Sequence, residues 1–143
     1  MIILDTNVIS ALMRAPPDEA VVGWLDRQPP ESIWTTAITV FEIRLGIALL
    51  AAGRRRDRLE ATFERSLAED LEGRVLPFDG GAAHAAADIA ARRQRAGRPV
   101  DLRDTQIAGI AVARRATVAT RNLKHFQGLA FAVVDPWTAA GGG

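Results

Sequence analysis

The sequence predicts a single α/β domain, a three-layer α/β/α sandwich around a central parallel sheet of four to five strands. Short apolar segments bounded by turn residues alternate with longer segments in which apolar residues recur at helical spacing. The chain has 143 residues and is 48% hydrophobic, which suits one globular domain. Alternating strands and helices favour a parallel sheet covered on both faces, because right-handed crossovers place the helices there.

The first half of the chain is predicted to contain two strands and four helices. The strands are apolar segments at residues 2–4 and 33–36. The helices have apolar residues at helical spacing and cover residues 8–13, 18–25, 39–52 and 54–71. Proline pairs end the first two helices, and Gly53 ends the third. The helix at 39–52 is almost wholly apolar and is predicted to be buried, whereas the helix at 54–71 is charged and amphipathic.

The second half is predicted to contain three strands and two helices. The strands cover residues 74–78, 117–120 and 130–134, and the helices cover residues 80–95 and 101–115. Pro77 cannot donate a hydrogen bond to a neighbouring strand, so it predicts an edge position for the third strand. Residues 1–138 are therefore expected to form one domain, and residues 139–143 a flexible tail.

Composition and charge exclude several classes of protein. Without Cys, the chain has no disulfides, no Cys-based zinc site and no thiol nucleophile. Its formal net charge of +1 does not fit a strongly basic binder of the histone type. It has no apolar run of about 18 residues that would span a membrane. Asp5 comes too early, without a basic leader, for a signal peptide. We therefore expect a cytoplasmic protein with no membrane partner.

Three acidic residues occupy positions where a parallel sheet collects its functional groups. Asp5 ends the first strand, Glu42 lies early in the helix after the second strand, and Asp104 begins the helix before the fourth. Asn122 follows the fourth strand directly. Ligands of such sheets bind outside the carboxyl ends of the strands. If the first, second and fourth strands are neighbours, these four side chains converge on one edge of the sheet.

Each acid also has a structural interpretation. Asp5 or Asp104 alone would serve as a helix cap or as a first-turn acid. Glu42 is harder to explain in this way, because a carboxylate on an apolar helix face is costly unless a cation or a donor compensates it. Its neighbours on that face are Ile38, Leu45 and Leu49.

Carboxylates gathered without a matching Lys or His repel one another, which raises their pKa values. A divalent cation relieves that repulsion, and oxygen ligands suit Mg²⁺ or Mn²⁺. Such an ion lowers the pKa of water and holds a phosphodiester for in-line displacement. The residues therefore favour metal-assisted phosphodiester hydrolysis, with Asp5, Glu42 and Asp104 as candidate metal ligands.

Four motifs follow one another in order. They are Ile-Ile-Leu-Asp5-Thr6-Asn7-Val, Thr39-Val-Phe-Glu42-Ile-Arg44-Leu-Gly46, Asp104-Thr-Gln-Ile107-Ala108 and Val-Ala-Thr120-Arg121-Asn122. Together with the closing Asp135-Pro136-Trp137, they resemble PIN-domain ribonucleases from residue 2 to about residue 137. The closest likeness is to the VapC and FitB-like toxins of bacterial toxin–antitoxin pairs.

The resemblance implies a PIN-like fold and a Mg²⁺-dependent endoribonuclease in which Mn²⁺ can substitute. It also implies an RNA substrate, a homodimer, and a cognate VapB- or FitA-like antitoxin whose N-terminal half binds DNA. Asp5, Glu42 and Asp104 match the acids of the family. Thr6 is a candidate to orient Asp5 or to contact phosphate of the substrate. Arg121 leads into the site and is interpreted as a contact to RNA phosphate or as a structural partner for an acid. Asn122 stands where many members carry an acid, so the resemblance makes it the fourth catalytic candidate. Its amide can hold a metal-bound water but adds no charge for a second metal ion.

Other conspicuous residues are predicted to be structural, each with a functional alternative. Asp101 is interpreted as a helix cap, or as a competitor for the metal site. His125 is interpreted as a surface residue, or as a substrate contact. The basic run at 54–58 is interpreted as a solvated helix face paired with glutamates of the same helix, or as an RNA track. The three Trp residues are expected to pack rather than to stack on bases.

The apolar helix at 39–52 also predicts a protein interface, because one small domain covers only part of its surface. A symmetric homodimer is the commonest way to bury such a face. We expect some of Val40, Ile47, Leu50 and Ala51 to lie in that interface.

Two phosphoryl-transfer classes fit less well, and one binding function remains open. A phosphatase of the haloacid type needs a second Asp two residues after the first, where this chain has Asn7. A phospho-receiver domain needs an acidic pair beside a phospho-accepting Asp, and Asp79 has no such pair. The alternative is a catalytically inactive PIN-like module that acts only through its protein partner. Metal-dependent RNA cleavage would distinguish an enzyme from that module.

Overall fold

The computed structural model describes residues 1–139, in which five parallel strands lie in the order β3-β2-β1-β4-β5. The strands are β1 (Ile2–Leu4), β2 (Ile33–Thr36), β3 (Val75–Leu76), β4 (Thr117–Ala119) and β5 (Val133–Val134). The helices are α1 (Thr6–Met13), α2 (Glu19–Asp26), α3 (Ala37–Ala48), α4 (Arg54–Arg65), α5 (Gly80–Arg95), α6 (Leu102–Arg114) and α7 (Pro136–Ala139). Short 3₁₀ helices cover Pro30–Ser32 and Leu123–Phe126, and a π-helical turn covers Ser66–Asp70.

The sheet separates two hydrophobic cores, because successive residues of a strand point to opposite faces. In the first core, Leu4 packs with residues of α1, α2, α3 and α4, including Val8 and Phe63. In the second core, on the other face, Ile3 packs with residues of α5 and α6, including Ile89 and Ile107. The predicted three-layer α/β/α fold is therefore confirmed.

The condition for convergence of the acids, that the first, second and fourth strands are neighbours, is met. β1 pairs with both β2 and β4, so the carboxyl ends of these three strands meet at one edge. β3 lies at the end of the sheet, as Pro77 predicted. Among the helices of residues 1–139, none is long and apolar enough to cross a lipid bilayer.

The prediction of a buried helix at 39–52 is wrong in both bounds and burial. α3 begins at Ala37, where Thr36 caps it, and ends at Ala48. It packs against the core along one stripe only, so Phe41 is 56% exposed. Ile47 is buried and Val40 packs against the first core, so of the four interface candidates Leu50 and Ala51 remain for an interface, which stays a prediction. The apolar composition suggested burial on all sides, but other elements of the domain cover this helix on one side only.

The described residues end in a short helix. α7 was not anticipated; the Asp135 side chain accepts a 2.9 Å hydrogen bond from the backbone N–H of Trp137 and so supports its first turn. Of the tail predicted at 139–143, Ala139 is the last residue of α7. Residues 140–143 lie outside the described residues.

Gly109 allows α6 to approach α5. A Cβ atom at this position would lie 2.5 Å from the carbonyl oxygen of Ala82 and 2.6 Å from Cβ of Ala86. We expect Gly109→Ala to lower the free energy of unfolding by about 3 kcal/mol, because backbone atoms cannot give way as side chains do. Urea denaturation measures this change.

Gly46→Ala is the matched control, since no atom lies within 4 Å of a Cβ built there. Gly46 lies within α3, so Ala is expected to raise the free energy of unfolding by roughly 0.5–1 kcal/mol. Equal stability of Gly109→Ala and the wild-type protein would show that the α5–α6 pair is not tightly packed.

Candidate active site

Asp5 lies between β1 and α1 and is both a helix cap and a buried carboxylate. Its Oδ1 atom accepts a hydrogen bond from the backbone N–H of Thr6 at 2.8 Å, which caps α1. Its Oδ2 atom accepts from the Thr120 hydroxyl at 2.7 Å and from the Asn7 amide at 3.2 Å. Burial raises the pKa of Asp5 although these hydrogen bonds oppose the rise. The structural and functional interpretations of this acid are therefore compatible.

Thr120 joins the carboxyl ends of β1 and β4. Its buried hydroxyl donates to Asp5 and accepts from the backbone N–H of Asn122 at 3.0 Å. The Asn7 side chain donates to the same hydroxyl at 3.2 Å and accepts from the backbone N–H of Arg121 at 3.0 Å. Sequence reasoning gave neither Asn7 nor Thr120 a role, although both belong to the quoted motifs. The signal available was a hydroxyl residue directly after a buried strand.

Glu42 lies in the second turn of α3, and a nearby cation compensates the cost of its carboxylate on an apolar helix face. Its Oε2 atom lies 3.8 Å from a guanidinium nitrogen of Arg103, on α6. Burial raises the pKa of Glu42, and the carboxylate of Asp5 raises it further. Arg103 was missed because no helical spacing relates α3 to α6.

Asp104 lies in the first turn of α6, and a side chain caps the N-terminus of this helix. Asp101 is that cap, since its side chain accepts from the backbone N–H of Arg103 at 2.8 Å. The structural interpretation of Asp101 is thus confirmed. Burial raises the pKa of Asp104, and the carboxylate of Asp5 adds to the rise.

His125 is not the plain surface residue that was predicted. Its Nδ1 atom, which is shielded from solvent, lies 2.6 Å from Oδ2 of Asp104. His125 belongs to the 3₁₀ helix after β4, so this contact ties that helix to α6. Tertiary packing brings the chain after β4 back over the start of α6, and His125 is partly covered for that reason.

The other candidate residues surround the acids. The hydroxyl of Thr6 lies 3.5 Å from that of Thr39 and lowers the pKa of Glu42, which places it between two of the acids. Asn122 is exposed at the start of the 3₁₀ helix. The guanidinium of Arg121 lies 4.5 Å from the centre of the Trp137 ring. The roles of Thr6, Asn122 and Arg121 stay predictions.

The chemistry of the donor set suits a hard divalent cation, although the acids do not form a finished metal site as they stand. Within residues 1–139, no three His, Asp or Glu side chains are gathered closely enough to hold an ion. Asp104 is paired with His125, and Glu42 with Arg103. Nevertheless, the negative charge of Asp5 raises the pKa of both other acids, and carboxylate oxygens are the ligands that Mg²⁺ and Mn²⁺ prefer.

A groove of about 580 Å³ extends from Thr6 and Glu42 between α1, α3 and α4. Arg55 and Arg58 line it, so part of the basic run at 54–58 faces the site. The glutamates of α4 do not pair with that run as expected. Instead, they pair with a residue of α3: Arg44 lies 3.2 Å from Glu60 and 3.3 Å from Glu64.

The Trp residues pack as predicted. Trp24 is buried in the first core, and Trp137 packs against the same core. Trp34 packs against the second core. The indole N–H of Trp137 donates to Asp18 at 3.0 Å, and this hydrogen bond lowers the pKa of Asp18.

The family model of the PIN domain matches residues 2–132 of the chain. The chain therefore belongs to the PIN domain family, in the group of the VapC and FitB toxins. It is 42% identical to VapC ribonuclease Y4jK of Sinorhizobium fredii, over 98% of this chain and 100% of that protein. It is also 42% identical to Toxin FitB of Neisseria gonorrhoeae, over 96% and 99% of the two chains. Among solved structures, FitAB bound to the IR36 DNA fragment matches with a TM-score of 0.86 at 42% identity, covering 96% of both chains.

Proposed function

We propose that this protein is a Mg²⁺- or Mn²⁺-dependent endoribonuclease and the toxin of a toxin–antitoxin pair. The observation that carries the proposal is the position of Asp5, Glu42 and Asp104 at one sheet edge, where Asp5 raises the pKa of the other two. The relatives named as a VapC ribonuclease and as Toxin FitB, each 42% identical over nearly the whole chain, support the proposal.

The three carboxylates would hold the ion, with Asn122 beside them. When bound, the ion supplies Lewis-acid stabilisation to a phosphodiester and lowers the pKa of water. The contribution of the chain itself is to fix the ligands. Thr120, Asn7 and the N–H of Thr6 hold both oxygens of Asp5, so its carboxylate keeps one orientation.

The purified protein tests this proposal directly. We expect internal cuts in cellular RNA, mapped by sequencing of new 5′ ends, when Mg²⁺ is present. Neither a chelator-treated sample nor the Asp5→Asn protein should produce them. If the wild-type protein makes no cuts with Mg²⁺ or Mn²⁺, the alternative of an inactive PIN-like binding module is favoured.

We also propose two protein partners. Phe41, Leu49 and Leu102 are large apolar side chains that are more than half exposed, and a second copy of the chain would cover them. The solved FitAB assembly is bound to DNA, which supports a FitA-like antitoxin as the second partner. We propose that the N-terminal half of that antitoxin binds DNA. An Arg of that antitoxin would suit the acidic site, since a guanidinium binds carboxylates in bidentate fashion.

Light scattering during gel filtration tests both partners. The isolated chain should have twice its mass of 15.4 kDa, and co-expression with the product of the neighbouring gene should give a larger complex. A monomer at micromolar concentration would contradict the homodimer. An RNA-cleaving toxin with such a partner would act in the cytoplasm.

A further inference from the structure

A second cleft, of about 300 Å³, lies where the C-terminal part of α5, the α5–α6 loop and the segment after β4 meet. Four cationic side chains line it: Arg92, Arg93, Arg98 and Lys124. No acid is among its lining residues within the described chain. We call it the basic cleft.

The cations of the basic cleft lack carboxylate ion-pair partners in the described part of the chain. Among residues 1–139, none of the four forms an ion pair with a carboxylate. Arg93 is partly buried, and its guanidinium lies 3.5 Å from the carbonyl oxygen of Gln127. Four like charges around one concavity repel one another and concentrate a positive potential there, which an anionic ligand would relieve.

The basic cleft adjoins the acidic site. Lys124 lines the cleft, and the next residue, His125, contacts Asp104 at 2.6 Å. The charge of Asp104 also reaches Arg93, where it partly offsets the lowering of the Arg93 pKa by burial. A ligand that enters the acidic site and carries further negative charge can therefore extend into the cleft.

We propose that the basic cleft binds a backbone phosphate of the RNA substrate, at a distance from the bond that is cut. The inference rests on the proposed ribonuclease function. RNA has the required chemistry, since each nucleotide adds one phosphate, and Arg side chains bind phosphate through paired N–H groups. Contacts of this kind position the strand without reading its sequence, so their loss weakens binding of all sequences alike.

The test uses two double variants with the same change in charge. Arg98→Gln/Lys124→Gln alters two exposed residues of the basic cleft. Arg65→Gln/Arg115→Gln alters two exposed residues outside both grooves and is the control. Both are made in the Asp5→Asn protein to prevent cleavage. Fluorescence anisotropy then measures the Kd for single-stranded RNAs of about 16 and about 4 nucleotides over a salt series.

For the long RNA we expect the cleft variant to bind about tenfold more weakly than its parent. The magnitude of the slope of log K against log salt should fall by about 0.7, because the loss of one phosphate contact on a single strand removes about that amount. The short RNA and the control variant should show neither change. Equal slopes for the two double variants, or an equal loss with the short RNA, would overturn the inference.

A cleavage assay separates this inference from the proposed function. If the wild-type protein cuts RNA with Mg²⁺ but the cleft variant keeps the parental slope, only the basic cleft proposal fails. If the wild-type protein neither binds nor cuts RNA, the proposed function fails and the inference fails with it.

Discussion

Replacement of Asp104 by Asn is expected to abolish RNA cleavage and to make the metal-free protein more stable at neutral pH. Asp104 is proposed as a metal ligand, and an amide nitrogen cannot replace a carboxylate oxygen there. The loss should be about 10³-fold in kcat/KM, or ~4 kcal/mol of transition-state stabilisation. The gain in stability arises because burial and the charge of Asp5 both disfavour the ionised carboxylate.

Asp101→Asn is the matched control for this variant. It removes the same charge one helical turn earlier, and Asn is as good a helix cap as Asp. Both activity and stability should stay near the wild-type values. Cleavage at the wild-type rate by Asp104→Asn, or a loss of equal size in Asp101→Asn, would contradict the assignment of the site.

The Asp5→Asn protein should lose RNA cleavage as fully as the Asp104→Asn protein. Unlike Asp104→Asn, it should not become more stable than the wild-type protein. One oxygen of Asp5 accepts from Thr120 and Asn7, and the other accepts from the N–H of Thr6. An amide has one acceptor atom, so its NH₂ group must face at least one of these donors. An unsatisfied buried donor costs about 1–3 kcal/mol, which offsets the relief of repulsion.

The fold and the acids of the site were predictable because both depend on local signals. Apolar runs that end at turn residues located all five strands, and the parallel arrangement then fixed which strand ends carry functional groups. Asp5, Glu42 and Asp104 could be selected from those positions alone. The pairing of β1 with β2 and β4 confirms the assumption on which their convergence depended.

The partners of the acids were not predictable, because each comes from a distant part of the chain. Thr120 is 115 positions from Asp5 in sequence, and Arg103 reaches Glu42 from another helix. The same limit applies to α3, whose apolar sequence did not show that only one stripe is covered. Charges on α4 were misassigned for the same reason, since Arg44 on the neighbouring helix offers Glu60 a better placed cation.

The stability of the metal-free protein should depend on pH through the three acids. Burial raises the pKa of each above its ordinary value of 3.8 for Asp or 4.5 for Glu. A group with a raised pKa in the folded state binds protons more tightly there than in the unfolded chain. Its ionisation therefore lowers the free energy of unfolding as the pH rises through the raised pKa. Below pH 3.8, Asp104 is mainly protonated in both states, so the stability advantage of Asp104→Asn should fade there and grow towards neutral pH.

Mg²⁺ is expected to make the wild-type protein more stable than Asp104→Asn at pH 7, because an ion bound to the ionised carboxylates favours the folded state. At a concentration of 100 times its Kd, Mg²⁺ should raise the free energy of unfolding of the wild-type protein by about 2.7 kcal/mol. Urea denaturation with Mg²⁺, and with NaCl at equal ionic strength, measures the increase without RNA. Asp101→Asn should respond like the wild-type protein, and Asp104→Asn should respond much less. An unchanged denaturation midpoint of the wild-type protein in Mg²⁺ would show that the acids do not bind the ion without RNA. An equal response in Asp104→Asn would place the metal elsewhere, even if RNA cleavage were observed.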